Sequence, residues 1–493
     1  MQPLNMELLK NQQDLLNMNK ETKINFKEMP ERIIQFGEGN FLRAFTDWMI
    51  HRLNCLKLFN GKIVVVQPIE KGMVETLNRQ DGLYTIIQRG IQQGREIEKT
   101  EIVGSISRGI NPYEDWEGVL KCAEDPNIEY VFSNTTEAGI DYDPEDSCQF
   151  EPPYSFPGKL TVYLYHRFRH FNGEPSRGMI IIPCELIDKN GDTLKRIVLQ
   201  LAKNWNYPQN FIEWINNSNK FINSLVDRVV PGYPKEEAAL IAEKLGYYDE
   251  LICTSELYHL WVIEGPEELK NALPFHKANL NVIWTDDMSM YRTRKVRILN
   301  GAHTSSVPAA YLCGINTVKE MIEHDVLGKF IKQIIKEEVI PSLDYDSKML
   351  EEYADSVFER FANPYISHYL TSILLNSTSK FKTRVLPSLL DYIKKHGQIP
   401  VKLTFSLAAL FILYRDTNEL QDDPRVLEFF YNVWGEYGKE KNAASLVEKV
   451  LANEHIWGQN LNNVDGLNLA VKVQLERILD NGIEETLEGL VKT

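Results

Sequence analysis

A chain of 493 residues is too long for one ordinary hydrophobic core, so two or three domains are expected. Hydrophobic residues at 43% and charged residues at 25% are the proportions of a folded globular protein and exclude fibrous and disordered classes. The formal net charge of −15 argues against nucleic-acid and anionic-membrane partners, which need a positive field, but leaves room for a small anion held by a few local cations.

The first 26 residues, "MQPLNMELLKNQQDLLNMNKETKINF", lack the continuous apolar stretch of a signal peptide. The longest apolar runs, such as "LAALFILY" at 407–414, are too short to span a bilayer. Six cysteines (Cys55, Cys122, Cys148, Cys184, Cys253, Cys313) show no CxxC pair and fit reduced thiols. A cytoplasmic protein with no structural zinc is the expectation.

From about residue 32 short β-rich runs alternate with helical segments. The runs "RIIQFG" (32–37), "KIVVVQPI" (62–69), "EYVFSNT" (129–135) and "MIIIPCEL" (179–186) are nearly continuous in apolar residues, as strands buried on both faces should be. Between them "NFLRAFTDWMIHRLNCL", "PYEDWEGVLKCAED" and "KLTVYLYHRFRHF" carry apolar residues at helical spacing, so a mostly parallel sheet covered by helices is predicted. After "NVIWTDD" (281–287) the pattern turns to helices, among them "VLGKFIKQIIKEEVI", "SLLDYIKKHG" and "RVLEFFYNVWGEYG". The expected division is therefore 1–287 and 288–493, with a ligand site in a cleft between the two.

"RIIQFGEGNFLRAF" sets Gly37 and Gly39 between the first strand and a helix, where a dinucleotide-binding turn belongs. Leu42 occupies the place of the usual third glycine, and a tight strand-to-helix loop without a ligand is the alternative. At the end of the second strand, where an acid usually meets the adenosine ribose, stands Gln67, followed by Glu70 and Lys71. The choice between NAD and NADP stays open, leaning to NAD. "SNTTEAGI" (133–140) suits either a loop beside the nicotinamide ribose or a helix cap.

The segment "SMYRTRKVRILNGAHT" begins near residue 289. At about 100° per residue an α-helix puts Lys295 at zero, His303 near ~80° and Asn300 near ~140°, on one side of the helix. Reduction of a ketone needs a proton donor and hydrogen bonds to the developing oxyanion, and these three residue types supply them. A proton-transfer lysine works best with a lowered pKa, and Arg292, Arg294 and Arg297 are the cationic neighbours that could help lower it. The alternative is a basic amphipathic helix that stops at Asn300–Gly301.

The stretch "KVRILNGAHT", read as KxxxxNxxH, resembles the active-site signature of the long-chain mannitol dehydrogenase family, which also includes hexuronate reductases. "QFGEGNFLRAF", "QDGLYT" (80–85), "SNTTEAGI" and "NSLVDR" (223–228) resemble further blocks of it, so the likeness runs from about residue 30 to the C-terminus. "VVVQPIEKG", "PCELIDKNGD" (183–192), "FTDW" and "NSTSKFKTR" (376–384) are most similar to the hexuronate-reducing members. The resemblance implies an α/β fold, with an N-terminal Rossmann-like, mostly parallel sheet domain and a mainly α-helical C-terminal domain, and a metal-free dehydrogenase using NAD, with NADP as the alternative.

It further implies that Lys295 is the general acid/base, that Asn300 and His303 bind and polarise the reacting oxygen, and that Lys380 contacts substrate. The cofactor would meet Gly37, Gly39, Asn40, Phe41, Arg43, Gln67, Asn134 and Thr135. Mannitol-active members tend to carry asparagine at Leu186, arginine near Ser372 and an acid at Arg292, and the departures here point to a sugar acid whose carboxylate Arg292 would bind. A small hexuronate is the expected partner, with the oligomeric state left open. Fructuronate or a polyol as substrate, and a sugar- or nucleotide-binding protein without turnover, are the alternatives. Asp227 and Arg228 are expected to form an ion pair, and His51, His166, His170 and His396 to lie at the surface.

Overall fold

The computed structural model describes residues 1–11, 29–418 and 420–492, so most of the N-terminal stretch read for a leader lies outside the described residues. The chain divides into two compact units, one of Met1–Arg89 and Glu96–Met288, the other of Ser289–Thr493 with Gly90–Arg95.

The first unit contains twelve strands among its described residues: β1 (Glu31–Phe36), β2 (Lys62–Val66), β3 (Tyr84–Gln92), β4 (Arg95–Val103), β5 (Ile106–Ile110), β6 (Tyr130–Ser133), β7 (Ile180–Pro183), β8 (Lys220–Phe221), β9 (Asn223–Asp227), β10 (Cys253–Glu256), β11 (Leu260–Glu264) and β12 (Val282–Thr285), with the ends of β3 and β4 reaching into Gly90–Arg95. Six form one sheet in the order β5-β2-β1-β6-β7-β8, every neighbouring pair parallel. This is a doubly wound arrangement that reverses direction between β1 and β6.

Alternation along the strands explains the unbroken apolar runs. Ile33, Ile63, Val65 and Phe132 enter the core on one face, together with Leu42, Phe45, Trp48 and Met49 from the helical stretch that follows β1. Ile34, Phe36, Val64, Val66 and Val131 enter the core on the other face, against the helices Trp116–Glu124, Phe156–His170 and Asn190–Asn204. Both faces are dry, so no polar alternation is left to read.

Two smaller three-stranded sheets, β10-β3-β4 and β12-β11-β9, were not foreseen beyond the strand at "NVIWTDD". β4, "REIEKTEIV", mixes charged and apolar residues and lacks the buried-run signature, whereas β3 and β11, "LWVIE", are buried along most of their length. His51, expected at the surface, is fully buried: its Nδ1 accepts from the Gly104 N–H at 3.3 Å and its Nε2 lies 3.4 Å from Glu101. Arg228, expected to pair with Asp227, instead donates to the Ala44 and Glu256 carbonyls and stacks over Trp48 at 4.6 Å.

The second unit is helical. Val401–Leu413 is buried nearly all round and packs against Gly301–Leu312 and Leu467–Asn481, which is why "LAALFILY" is so apolar. No helix of the described residues is long and apolar enough to cross a membrane.

Candidate active site

The candidate functional residues fall into two groups, one in each unit. The first surrounds the turn after β1. Gly37 has φ +123°, and a Cβ there would fall 2.8 Å from the Asn134 carbonyl oxygen at the sheet's reversal point, so only glycine fits. Gly39 borders open space and precedes a continuous helical stretch made of Asn40–Leu42, a π segment Arg43–Asp47, and Trp48–Cys55. A helix N-terminus at the carboxyl end of β1 offers unpaired N–H groups to a pyrophosphate, and these residues fit a bound dinucleotide.

The neighbouring side chains hold the turn in shape. Arg43, only 1% exposed, donates to the Glu38 and Leu251 carbonyls and to Asn40 Oδ1. Gln35 donates to the Gly37 carbonyl at 3.0 Å and to Asp47 at 3.3 Å. Burial raises the Asp47 carboxyl to about 7, against the opposing hydrogen bonds of Gln35 and Thr46. Phe41 stacks on Phe45. Asn134 donates to the Cys184 carbonyl, and Thr135 gives its main-chain N–H and its hydroxyl to Glu185, both at 3.0 Å. Asn40, Arg43, Asn134 and Thr135 therefore spend their side chains within the protein, leaving main-chain groups and the space around Gly37 and Gly39 for a ligand.

A cleft of about 530 Å³ lies at the carboxyl ends of β2 and β5, lined by Gln67, Gly72, Asn78 and Asn111 among others. In a doubly wound sheet the adenosine half of a dinucleotide belongs here.

The second group lies in the helical unit. Residues 289–312 form an unbroken helical stretch, so Asn300–Gly301 does not stop it and Pro308 sits inside Gly301–Leu312. Gly301 packs close to the Arg384 main chain, where a Cβ would meet the carbonyl oxygen at an ordinary contact distance of 3.4 Å. The segment Lys295–Asn300 is a π-helix, bounded by two of the expected catalytic residues. A π turn accommodates one residue more than an α turn and so removes about 100° of rotation. That moves His303 from ~80° to about −20° and Asn300 from ~140° to about 40° relative to Lys295, a closer grouping than regular α geometry allows.

His303 is 9% exposed, its ring stacked on Phe361 at 4.2 Å and set edge-on to His368 at 5.1 Å. Its Nε2 has no hydrogen-bond partner. Burial first, and then the charges of His368, Arg360, Arg384 and Lys380, hold its pKa well below the usual histidine range. The ring is therefore neutral at physiological pH, suited to hydrogen bonding and unsuited to supplying a proton. Lys295, Asn300 and Arg292 are half-buried.

Two of the three expected cationic neighbours have structural work. Arg297 is bound to Asp391 and Ser388, and Arg294 lies over the Tyr353 ring at 4.2 Å. Lys380 is half-buried, donates to the Ile373 carbonyl at 2.8 Å, and is pushed down from the ordinary lysine range by burial and then by Arg384. Among the described residues no group of three or more histidine, cysteine or carboxylate side chains is placed to hold a metal ion.

Sequence reasoning missed Glu185, although "CELID" was read for its neighbour Leu186, and missed Phe361 and His368, which fix the His303 ring. An acid in an otherwise apolar strand end was a usable signal for the first. Phe361 and His368 lie about sixty residues from His303 in the chain, and no local pattern links them.

Comparison with known proteins agrees with this architecture. The mannitol dehydrogenase Rossmann domain matches residues 31–277, and the mannitol dehydrogenase C-terminal domain matches 287–479. Altronate oxidoreductase of Bacillus subtilis is 45% identical over 96% of this chain and 97% of its own length. The altronate oxidoreductases of Phocaeicola vulgatus (44%, covering 96% and 99%) and Escherichia coli O6:K15:H31 (46%, covering 94% and 97%) are similar to the same extent. The solved structure of Pseudomonas fluorescens mannitol 2-dehydrogenase, a ternary complex with NAD and D-mannitol, superposes with TM-score 0.71 at 22% identity, covering 100% of both chains. A substrate-free D-sorbitol dehydrogenase superposes with TM-score 0.78 at 22% identity, covering 94% of this chain and 96% of its own. With both family domains matched in order and relatives similar over nearly their whole length, the chain belongs to the mannitol dehydrogenase family.

Proposed function

We propose that this protein catalyses the reaction for which its relatives are named, the NAD-linked interconversion of D-altronate and D-tagaturonate. The observation that carries the reading is 44–46% identity to altronate oxidoreductases along nearly the whole of both chains. Leu186 supports it: at 54% exposed it offers no hydrogen bond to a polyol hydroxyl.

Gly37, Gly39 and the main chain of Asn40 and Phe41 would hold the pyrophosphate of NAD, with Gln67 near the adenosine and Asn134 and Thr135 near the nicotinamide ribose. Bound there, the nicotinamide supplies or accepts the hydride. Lys295 gives the proton to the nascent alkoxide when tagaturonate is reduced and takes it back from the altronate hydroxyl. Asn300 and neutral His303 hydrogen-bond the reacting oxygen as its charge develops, and a neutral imidazole leaves the proton-donor role to the lysine. Lys380 and Arg292 bind the remainder of the substrate, including its carboxylate. Six cysteines outside any disulfide suit a reducing compartment, and the cytoplasm is the proposed location.

Purified protein should oxidise NADH when D-tagaturonate is added and reduce NAD with D-altronate, without loss of rate in the presence of a chelator. Saturable NADH binding with no turnover of either sugar acid would replace the enzyme by a binding protein.

A further inference from the structure

The acid nearest the end of β2 is Glu70, in the loop that lines the cleft, and at the strand end itself Gln67 cannot take an acid's place. Its amide nitrogen donates to the Ile69 and Glu70 carbonyls at 2.8 and 2.9 Å, and its oxygen accepts from the Val74 N–H at 3.3 Å. All its hydrogen-bonding capacity toward that loop is in use. A carboxylate nevertheless reaches the same place from another element. Glu38, between the two glycines of the turn, runs under the segment after β2, so close to Gly72 that a Cβ there would collide with both Glu38 Oε1 and the Gln67 side chain.

Gly72 and Gln67 line the cleft at the ends of β2 and β5. The Glu38 carboxyl therefore lies directly behind the cleft wall. It is 8% exposed, and its Oε2 is buried without a hydrogen-bond partner. A buried carboxylate oxygen left unpaired is costly and calls for a specific reason. Burial raises its pKa, while the Glu38 and Met73 N–H groups and Arg43 act in the other direction. The structure supplies the carboxylate with every support except a donor to Oε2.

We propose that Glu38 is the residue that selects NAD over NADP, its carboxylate standing in for the missing acid at the end of β2 and favouring a ribose 2′-hydroxyl over a 2′-phosphate. The inference rests on the dinucleotide reading given under Proposed function. A 2′-hydroxyl is a donor from which the carboxylate can accept, and its arrival favours the ionised carboxyl. A 2′-phosphate brings two further negative charges into a cleft lined by Glu70, Glu75, Glu114 and Asp115 beside Lys71 and Arg108, with Arg108 already bound to Glu31, and Glu38 adds a buried carboxylate to that field. Gly72, with no side chain, leaves the Glu38 carboxyl, Oε1 foremost, immediately behind the wall.

The test is direct binding of NADH and of NADPH, titrated by calorimetry to the full-length protein and to Glu38→Gln, with kcat/KM for each cofactor as a second readout. The native protein should prefer NADH, and Glu38→Gln should reduce the ratio of the two affinities at least tenfold. Both ratios are internal to one preparation, so partial misfolding does not alter them. Glu38→Ala, which leaves no buried polar side chain to satisfy, is read in the same way should the glutamine variant not accumulate. A native protein that prefers NADH while both variants keep its ratio overturns the role of Glu38 alone, as does a native preference for NADPH. Failure of the native protein to bind either cofactor overturns the dinucleotide reading itself.

Discussion

In the proposed reaction Lys295 and His303 divide the work between a half-buried amine and a buried imidazole. Because burial and surrounding positive charge hold the His303 pKa down, the proposed mechanism gives the proton-transfer role to Lys295. Lys295→Ala is expected to lower kcat for tagaturonate reduction by about 10²–10⁴-fold and to leave NADH affinity, measured by fluorescence quenching, unchanged. Loss of cofactor binding together with kcat would mean that the lysine holds structure.

Asp47 bears on stability in a way that can be measured separately. Its folded pKa of about 7 stands above the ordinary value of 3.8, so between those pH values the folded chain retains a proton that the unfolded chain has lost. The proton contributes stability at low pH that disappears as pH rises through about 7. Relative to Asp47→Asn, the native protein should lose about 2–3 kcal/mol of urea-unfolding free energy between about pH 5 and about pH 8. A difference that does not vary with pH would place the Asp47 carboxylate in a better-compensated setting.

At the scale of elements, both expected sites sit on helices with a π segment, Arg43–Asp47 behind the glycine turn and Lys295–Asn300 in the helical unit. The buried strands and the glycine turn were legible because each leaves a local mark, a double-faced apolar run or a pair of glycines after it. The π segments were not. Regular rotation of about 100° per residue grouped Lys295, Asn300 and His303 only loosely, and nothing in "KVRILN" announces an extra residue in the turn. If that phase matters, one alanine inserted between Asn300 and Gly301 turns His303 away from Lys295 by about 100°. The insertion variant should keep its helical circular dichroism and lose turnover. Retained activity would show that the grouping is incidental. The supports of the site were equally hidden: Glu185 steadies Thr135, and Phe361 and His368 flank His303, through contacts that only the folded chain brings together.

For the whole molecule, the order of strands and helices, a net charge of −15 and a run of family-like motifs led to an α/β dinucleotide-binding unit followed by a helical one, and the family comparison agrees with that fold class. The substrate is the claim on which the account turns. It is tested most directly by kcat/KM for NADH-dependent reduction of D-tagaturonate, D-fructuronate and D-fructose by the purified protein under one set of conditions. The account predicts that D-tagaturonate exceeds both of the others by at least tenfold. A preference for D-fructuronate would contradict the choice of sugar acid, and a preference for D-fructose would contradict the assignment of a carboxylate substrate to this site.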